Sequence, residues 1–116
     1  MAKIKLISFG FKYGLPRCNY YFDVGFIKNP ARQKDWSFFC ETNPEMCEFV
    51  LKQDQARNFI ERVIPLIEFL STIDQNQIFA FGCSAGRHRS TVVVDYIASL
   101  LKERGIDVDV EHKDMG

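Results

Sequence analysis

A chain of 116 residues with 47% hydrophobic content suits one domain with one modest core. No apolar run reaches membrane-spanning length, and Ser8, Gly10 and Lys12 break the opening segment too soon for a secretory signal, so a cytoplasmic protein that does not engage membranes is expected. Net charge is zero, yet residues 1–34 carry seven Lys or Arg against one acid, Asp23, while residues 35–116 carry eight against fourteen; such a basic segment either faces an anionic partner or is plain solvated surface.

In chain order, Lys3 to Phe9 is short and rich in β-branched residues and predicts a first strand. Gly10 to Pro16 is a loop, and Tyr20 to Phe26 reads as a second strand that Asn29-Pro30 breaks. Residues 31–45 are polar and weakly patterned. Glu45 to Leu51 suits one or two helical turns. Asp54 is a fair N-cap for a helix whose apolar positions are Ala56, Phe59, Ile60, Val63, Ile67 and Leu70, with a kink expected at Pro65. After a turn at Asp74 to Gln77, Ile78 to Phe81 has the composition of a fully buried strand. Arg89 to Arg104 follows as an amphipathic helix closed by Gly105, and Val108 to His112 is a last strand. Alternating strands and helices define an α/β class, with a small mixed, partly parallel sheet flanked by helices in a single domain over residues 1–116.

The chemistry concentrates between the strand at 78–81 and the helix at 89–104. The loop Gly82-Cys83-Ser84-Ala85-Gly86-Arg87-His88-Arg89-Ser90 places small residues where a chain must turn from strand to helix. The first helical turn offers unpaired N–H groups and the positive end of the helix dipole. Ser84, Ala85 and Gly86 allow close approach to the backbone, Arg87, His88 and Arg89 add cationic groups, and Ser90 adds a hydroxyl. These parts suit a phosphate-type anion.

The same loop has the C-x5-R-S spacing of the cysteine phosphatases, in which Cys83 would be the nucleophile. Gly82 stands where those enzymes usually carry a histidine, and only Asp23 and Asp114 offer themselves as acids. The bland alternatives are a buried structural Cys83, a surface His88 and an N-capping Ser90. Cys18, Cys40, Cys47 and Cys83 form no CxxC pair and are not spaced with the histidines as zinc ligands, so free thiols, no metal and no cofactor are expected.

Three ordered blocks carry a resemblance that runs nearly end to end: Ser8 to Pro16, Phe22-Asp23-Val24 through Phe26 and Asn29-Pro30, and Gly82-Cys83 through His88-Arg89-Ser90, with His112 to Met115 as a closing motif. The sequence resembles the C-terminal domain of the RapZ-type RNase adapter proteins, also described as P-loop nucleotide-binding proteins. The resemblance implies a ligand pocket at Cys83–Ser90, walled by the Ser8–Pro16 loop and Asp23. It implies a ligand like glucosamine 6-phosphate and a link to small regulatory RNAs. On that reading Lys12 supplies a charge, and Asp23 and His112 hydrogen-bond sugar hydroxyls. The Walker A domain of the full-length family is absent from this sequence, so nucleotide hydrolysis is not carried over. Gly25 replaces an expected arginine, and no basic tail closes the chain. The main expectation is a phosphosugar-binding module; RNA, a separate nucleotide-binding chain and a second copy are the other partners left open.

Overall fold

The computed structural model describes residues 3–29 and 43–114. Four strands, β1 (Lys3–Gly10), β2 (Tyr20–Asp23), β3 (Ile78–Cys83) and β4 (Asp107–His112), form one sheet in the order β2-β3-β1-β4, and every pairing is parallel. Three helices complete it: α1 (Pro44–Leu51), α2 (Asp54–Ile73) and α3 (Arg89–Glu103). The expected α/β class is what the chain adopts. The basic residues Arg32 and Lys34, Cys40 and most of the weakly patterned stretch lie outside the described residues.

Strand alternation sorts side chains to two unequal faces. Ile4, Leu6, Phe79, Phe81, Cys83 and Val108 point into the main core with α2 and α3, whereas Ile7, Phe9 and Ala80 form a smaller cluster with Cys18. The connectivity accounts for this. From β1 to β2 the chain moves one way along the sheet; from β2 to β3 and from β3 to β4 it moves the other way. Right-handed crossovers in opposite directions lie on opposite faces. All three helices therefore share one face, and the 11–19 segment covers the other.

Helix α2 buries Ala56, Ile60, Val63, Ile64 and Ile67 at helical spacing and runs on through Pro65, which lies on its exposed side. The missing Pro65 N–H leaves the Glu61 carbonyl to water rather than to an apolar interior. Asn43 caps α1 by accepting the Met46 N–H. The N-cap of α2 is Gln53 and not the expected Asp54. The Gln53 side chain is engaged elsewhere, accepting the Lys28 N–H at 2.8 Å and donating to the Lys28 and Phe49 carbonyls at 3.3 Å. Strand β2 is also shorter than its apolar run, because Asp23 Oδ1 accepts the Gly25 N–H at 2.7 Å and Ile27 N–H reaches the Val24 carbonyl, folding the chain into a turn.

Candidate functional site

In parallel α/β sheets, loops that meet ligands gather beyond the C-terminal ends of the strands. Here those ends converge. Phe9 and Gly10 of β1 pair with Gly82 and Cys83 of β3, and Asp23 of β2 pairs with Gly82. Three segments meet at that point: 10–14 after β1, 24–29 after β2 and 84–88 after β3. Val24 N–H donates to the Gly82 carbonyl at 2.8 Å, and Lys12 N–H to the Ser84 carbonyl at 3.2 Å.

The 84–88 turn is pressed against β1. Gly86 has φ +74°, and a Cβ there would lie 2.4 Å from the Gly10 nitrogen and 2.5 Å from the Phe9 carbonyl carbon. A Cβ on Gly10 would lie 2.4 Å from the Ala85 carbonyl carbon. Two backbones touch here with no room for a side chain on either, and at Gly86 the left-handed conformation adds its own restriction.

Helix α3 opens at Arg89, and its first bond runs from Val92 N–H to the His88 carbonyl at 3.0 Å. The N–H groups of Arg89, Ser90 and Thr91 are thus the orphan donors of the helix start. Ser90 does not cap them: its hydroxyl oxygen accepts from the Cys83 thiol at 3.3 Å. Thr91 Oγ1 turns back to the Arg87 and His88 carbonyls, at 2.9 Å each.

Arg89 is 9% exposed and holds two segments together. Its Nη1 donates to the carbonyls of Gly25 at 2.9 Å and Ile27 at 3.0 Å, and its Nη2 to Ser84 Oγ at 3.2 Å. Those acceptors are neutral, and among the described residues no carboxylate forms an ion pair with it. The guanidinium borders an open cleft of about 380 Å³, with Gly25 to Asn29 as one wall and Ser84 and Arg89 as the other. An adjoining recess of about 20 Å³, which shares Asn29, Ser84 and Arg89 with the cleft, reaches Cys83, which is 3% exposed, with Arg87 and His88 also in its lining. That recess has room for about one water.

The remaining expected site residues lie at varied distances from the cleft. Lys12 is joined to the loop through its backbone, while its ammonium lies 5.2 Å from the Tyr13 ring centroid. Asp23 is exposed and closes its own turn. His112, at the end of β4, is not in the cleft wall. Its Nδ1 meets Ser8 Oγ at 2.6 Å and its Nε2 meets Asp95 Oδ1 at 2.9 Å. A carboxylate only accepts, so Nε2 carries a proton, and in the neutral ring Nδ1 accepts from Ser8. Sequence reasoning missed Lys28 and the Gly25 and Ile27 carbonyls; the only signal was a basic residue between an apolar one and the Asn29-Pro30 break. Cys18, Cys47 and Cys83 are free, and no group able to hold a metal occurs among the described residues. Burial pushes the Cys18 thiol up; burial and then the Asp95 charge do the same for Cys47.

The fold and its glycine-locked strand–loop–helix turn define a small parallel α/β domain with a candidate ligand site at its strand ends. The family model of the RapZ C-terminal domain matches residues 2–116, and the chain belongs to that family. A nucleotide-binding protein of Caldicellulosiruptor bescii is 35% identical over 118 residues, 97% of this chain and 40% of that protein. One from Desulfovibrio desulfuricans is 32% identical over 117 residues, 96% of this chain and 38% of that protein. One from Clostridium novyi is 36% identical over 118 residues, again 97% and 40%. The chain thus spans about two fifths of the length of the curated relatives it matches. No helix among the described residues is long and apolar enough to cross a membrane.

Proposed function

We propose that this domain binds a phosphorylated small molecule, of the sugar-phosphate kind, in the cleft between residues 25–29 and the 84–90 loop. The observation that carries the reading is Arg89: a guanidinium 9% exposed, held by neutral acceptors, with no carboxylate ion-paired to it among the described residues. A buried charge without a counter-ion costs several kcal/mol, roughly, and an anionic ligand offsets that cost. Nη1 is committed to the two carbonyls, so the anion meets the remaining Nη2 and Nε donors, the Ser84 hydroxyl and the orphan N–H groups of the α3 start. Lys28 lies in the opposite wall. The cleft volume of about 380 Å³ falls in the range of small-ligand pockets. Asn29 and the exposed Phe26 ring offer the polar and flat surfaces that a sugar uses.

This geometry favours binding over turnover. Cys83 is 3% exposed and its thiol donates to Ser90 Oγ, while Arg89, which borders both the cleft and the recess at Cys83, spends Nη1 on the Gly25 and Ile27 carbonyls. Thermal shift against a panel of sugar phosphates and inorganic phosphate tests the reading. Stabilisation by phosphorylated ligands that is lost in Arg89→Ala supports it; no shift for any of them at millimolar concentration removes it. Hydrolysis of an aryl phosphate that disappears in Cys83→Ser would replace it with the enzyme reading.

One observation favours a second reading, RNA binding. Phe11, Tyr13 and Tyr21 are exposed on the side of the sheet away from the helices, with Lys12 and Arg17 nearby in sequence. Aromatic faces beside cations suit single-stranded nucleic acid. Its discriminator is salt: retardation of RNA at low salt that falls steeply as salt rises supports it, and no retardation at low salt excludes it.

A further inference from the structure

Residues 112–114 are not among those lining the cleft, yet they make a dense set of bonds to the end of β1 and the residues that follow it. Lys113 N–H donates to the Ser8 carbonyl at 2.9 Å, and Gly10 N–H donates to Asp114 Oδ2 at 2.8 Å. The Lys113 ammonium lies 3.4 Å from both the Tyr13 and Gly14 carbonyls and 3.2 Å from Asp114 Oδ1. His112 is held between Ser8 and Asp95. The Asp114 side chain is only 12% exposed, although it lies in the turn that follows β4. A carboxylate so withdrawn from water is costly unless it is paired and hydrogen-bonded, and here the Lys113 ammonium and the Gly10 N–H supply both.

What Asp114 holds is Gly10, the residue on which the anion loop rests. Gly10 is in backbone contact with both Ala85 and Gly86, and two residues further on Lys12 N–H bonds the Ser84 carbonyl. We propose that His112–Asp114 is a latch that sets the shape of the 84–88 turn, with Asp114 as a positioning residue acting through Gly10. The inference rests on the reading of that turn as part of an anion site. The two backbones approach too closely for a Cβ on either Gly10 or Gly86, so a displacement of Gly10 is expected to be felt by the 85–86 backbone. Displaced donors weaken an oriented site steeply. Coupling is reciprocal, so an anion on the turn also tightens the latch.

The test uses the whole chain and inorganic phosphate. Asp114→Ala removes the acceptor for Gly10; Asp114→Asn keeps a carbonyl oxygen in its place. Calorimetry should show phosphate affinity falling about tenfold in Asp114→Ala and largely restored in Asp114→Asn. Amide exchange should quicken at 10–14 and 84–88 in Asp114→Ala, with 56–67 of α2 unchanged. Wild-type affinity in Asp114→Ala, or equal loss in both variants, overturns the latch. If the wild type binds no phosphate, the anion reading fails separately, and exchange at 84–88 still decides the latch: faster in Asp114→Ala upholds it, unchanged overturns it.

Discussion

The two walls of the cleft are built on different terms. The 84–90 wall carries its chemistry in side chains and in a helix start, and its residue types declare that chemistry. The 25–29 wall contributes two backbone carbonyls, a lysine and an asparagine, and nothing in its composition marks it as a site. Arg89 joins them, with three of its N–H groups bonded to protein and the rest of its charge left at the cleft edge. Arg89 holds the opposite wall, and under the proposed function it also meets the anion; variants can separate the two tasks.

The largest effect is expected from Gly86→Val, which strikes the first wall alone. A side chain there would clash with Gly10 backbone at 2.4 Å in a left-handed conformation, so stability should fall by about 3 kcal/mol or more and binding should vanish. Retained affinity in a folded Gly86→Val protein would mean the turn is not part of the site. Arg89→Ala strikes both walls. Loss of three bonds from a charged donor, partly offset by removing a buried cation, should cost about 2 kcal/mol of stability in urea unfolding and abolish measurable phosphate binding. Arg89→Lys should recover some affinity without the stability, since one ammonium cannot span the bonds of a planar fork.

Gln53→Ala addresses the second wall from below. Its amide brackets the Lys28 backbone, so truncation should cost about 1 kcal/mol and weaken a sugar phosphate a few-fold while α3 stays as protected from exchange as before. Asp23 gives the smallest change. Asp23→Ala should lose about 1 kcal/mol with its turn, while Asp23→Asn keeps an acceptor and should be neutral within about 0.5 kcal/mol. A drop in sugar-phosphate affinity for Asp23→Asn, with bare phosphate unaffected, would bring that carboxylate to a ligand hydroxyl.

The same contrast explains what was legible in the sequence. Periodicity found α2 and α3, and the β-branched runs found β1 and β4, because those elements bury one face against one core. Gly86 was legible as one of the small residues that let the backbone be approached closely in a strand-to-helix reversal, and its φ of +74° fits that turn. Strand β2 was over-extended to Phe26 because the apolar run Tyr20–Phe26 continues past Asp23, whose side chain has already turned the chain. The start of α2 was misplaced by one residue because a capping preference at Asp54 carries no information about Gln53 being occupied by Lys28. Roles that depend on long-range bonds could not be read locally: Arg89 to the 25–27 carbonyls, Asp114 to Gly10, and His112 to Ser8 and Asp95 each join segments far apart in the chain.

Calorimetric titration of glucosamine 6-phosphate and of unphosphorylated glucosamine into the wild-type chain tests the central claim most directly. The phosphate ester should give saturable binding with one ligand per chain, competed by inorganic phosphate, and the free sugar should give none. Equal heats from both sugars, or none from either at millimolar concentration, would contradict an anion site built on Arg89 and the start of α3.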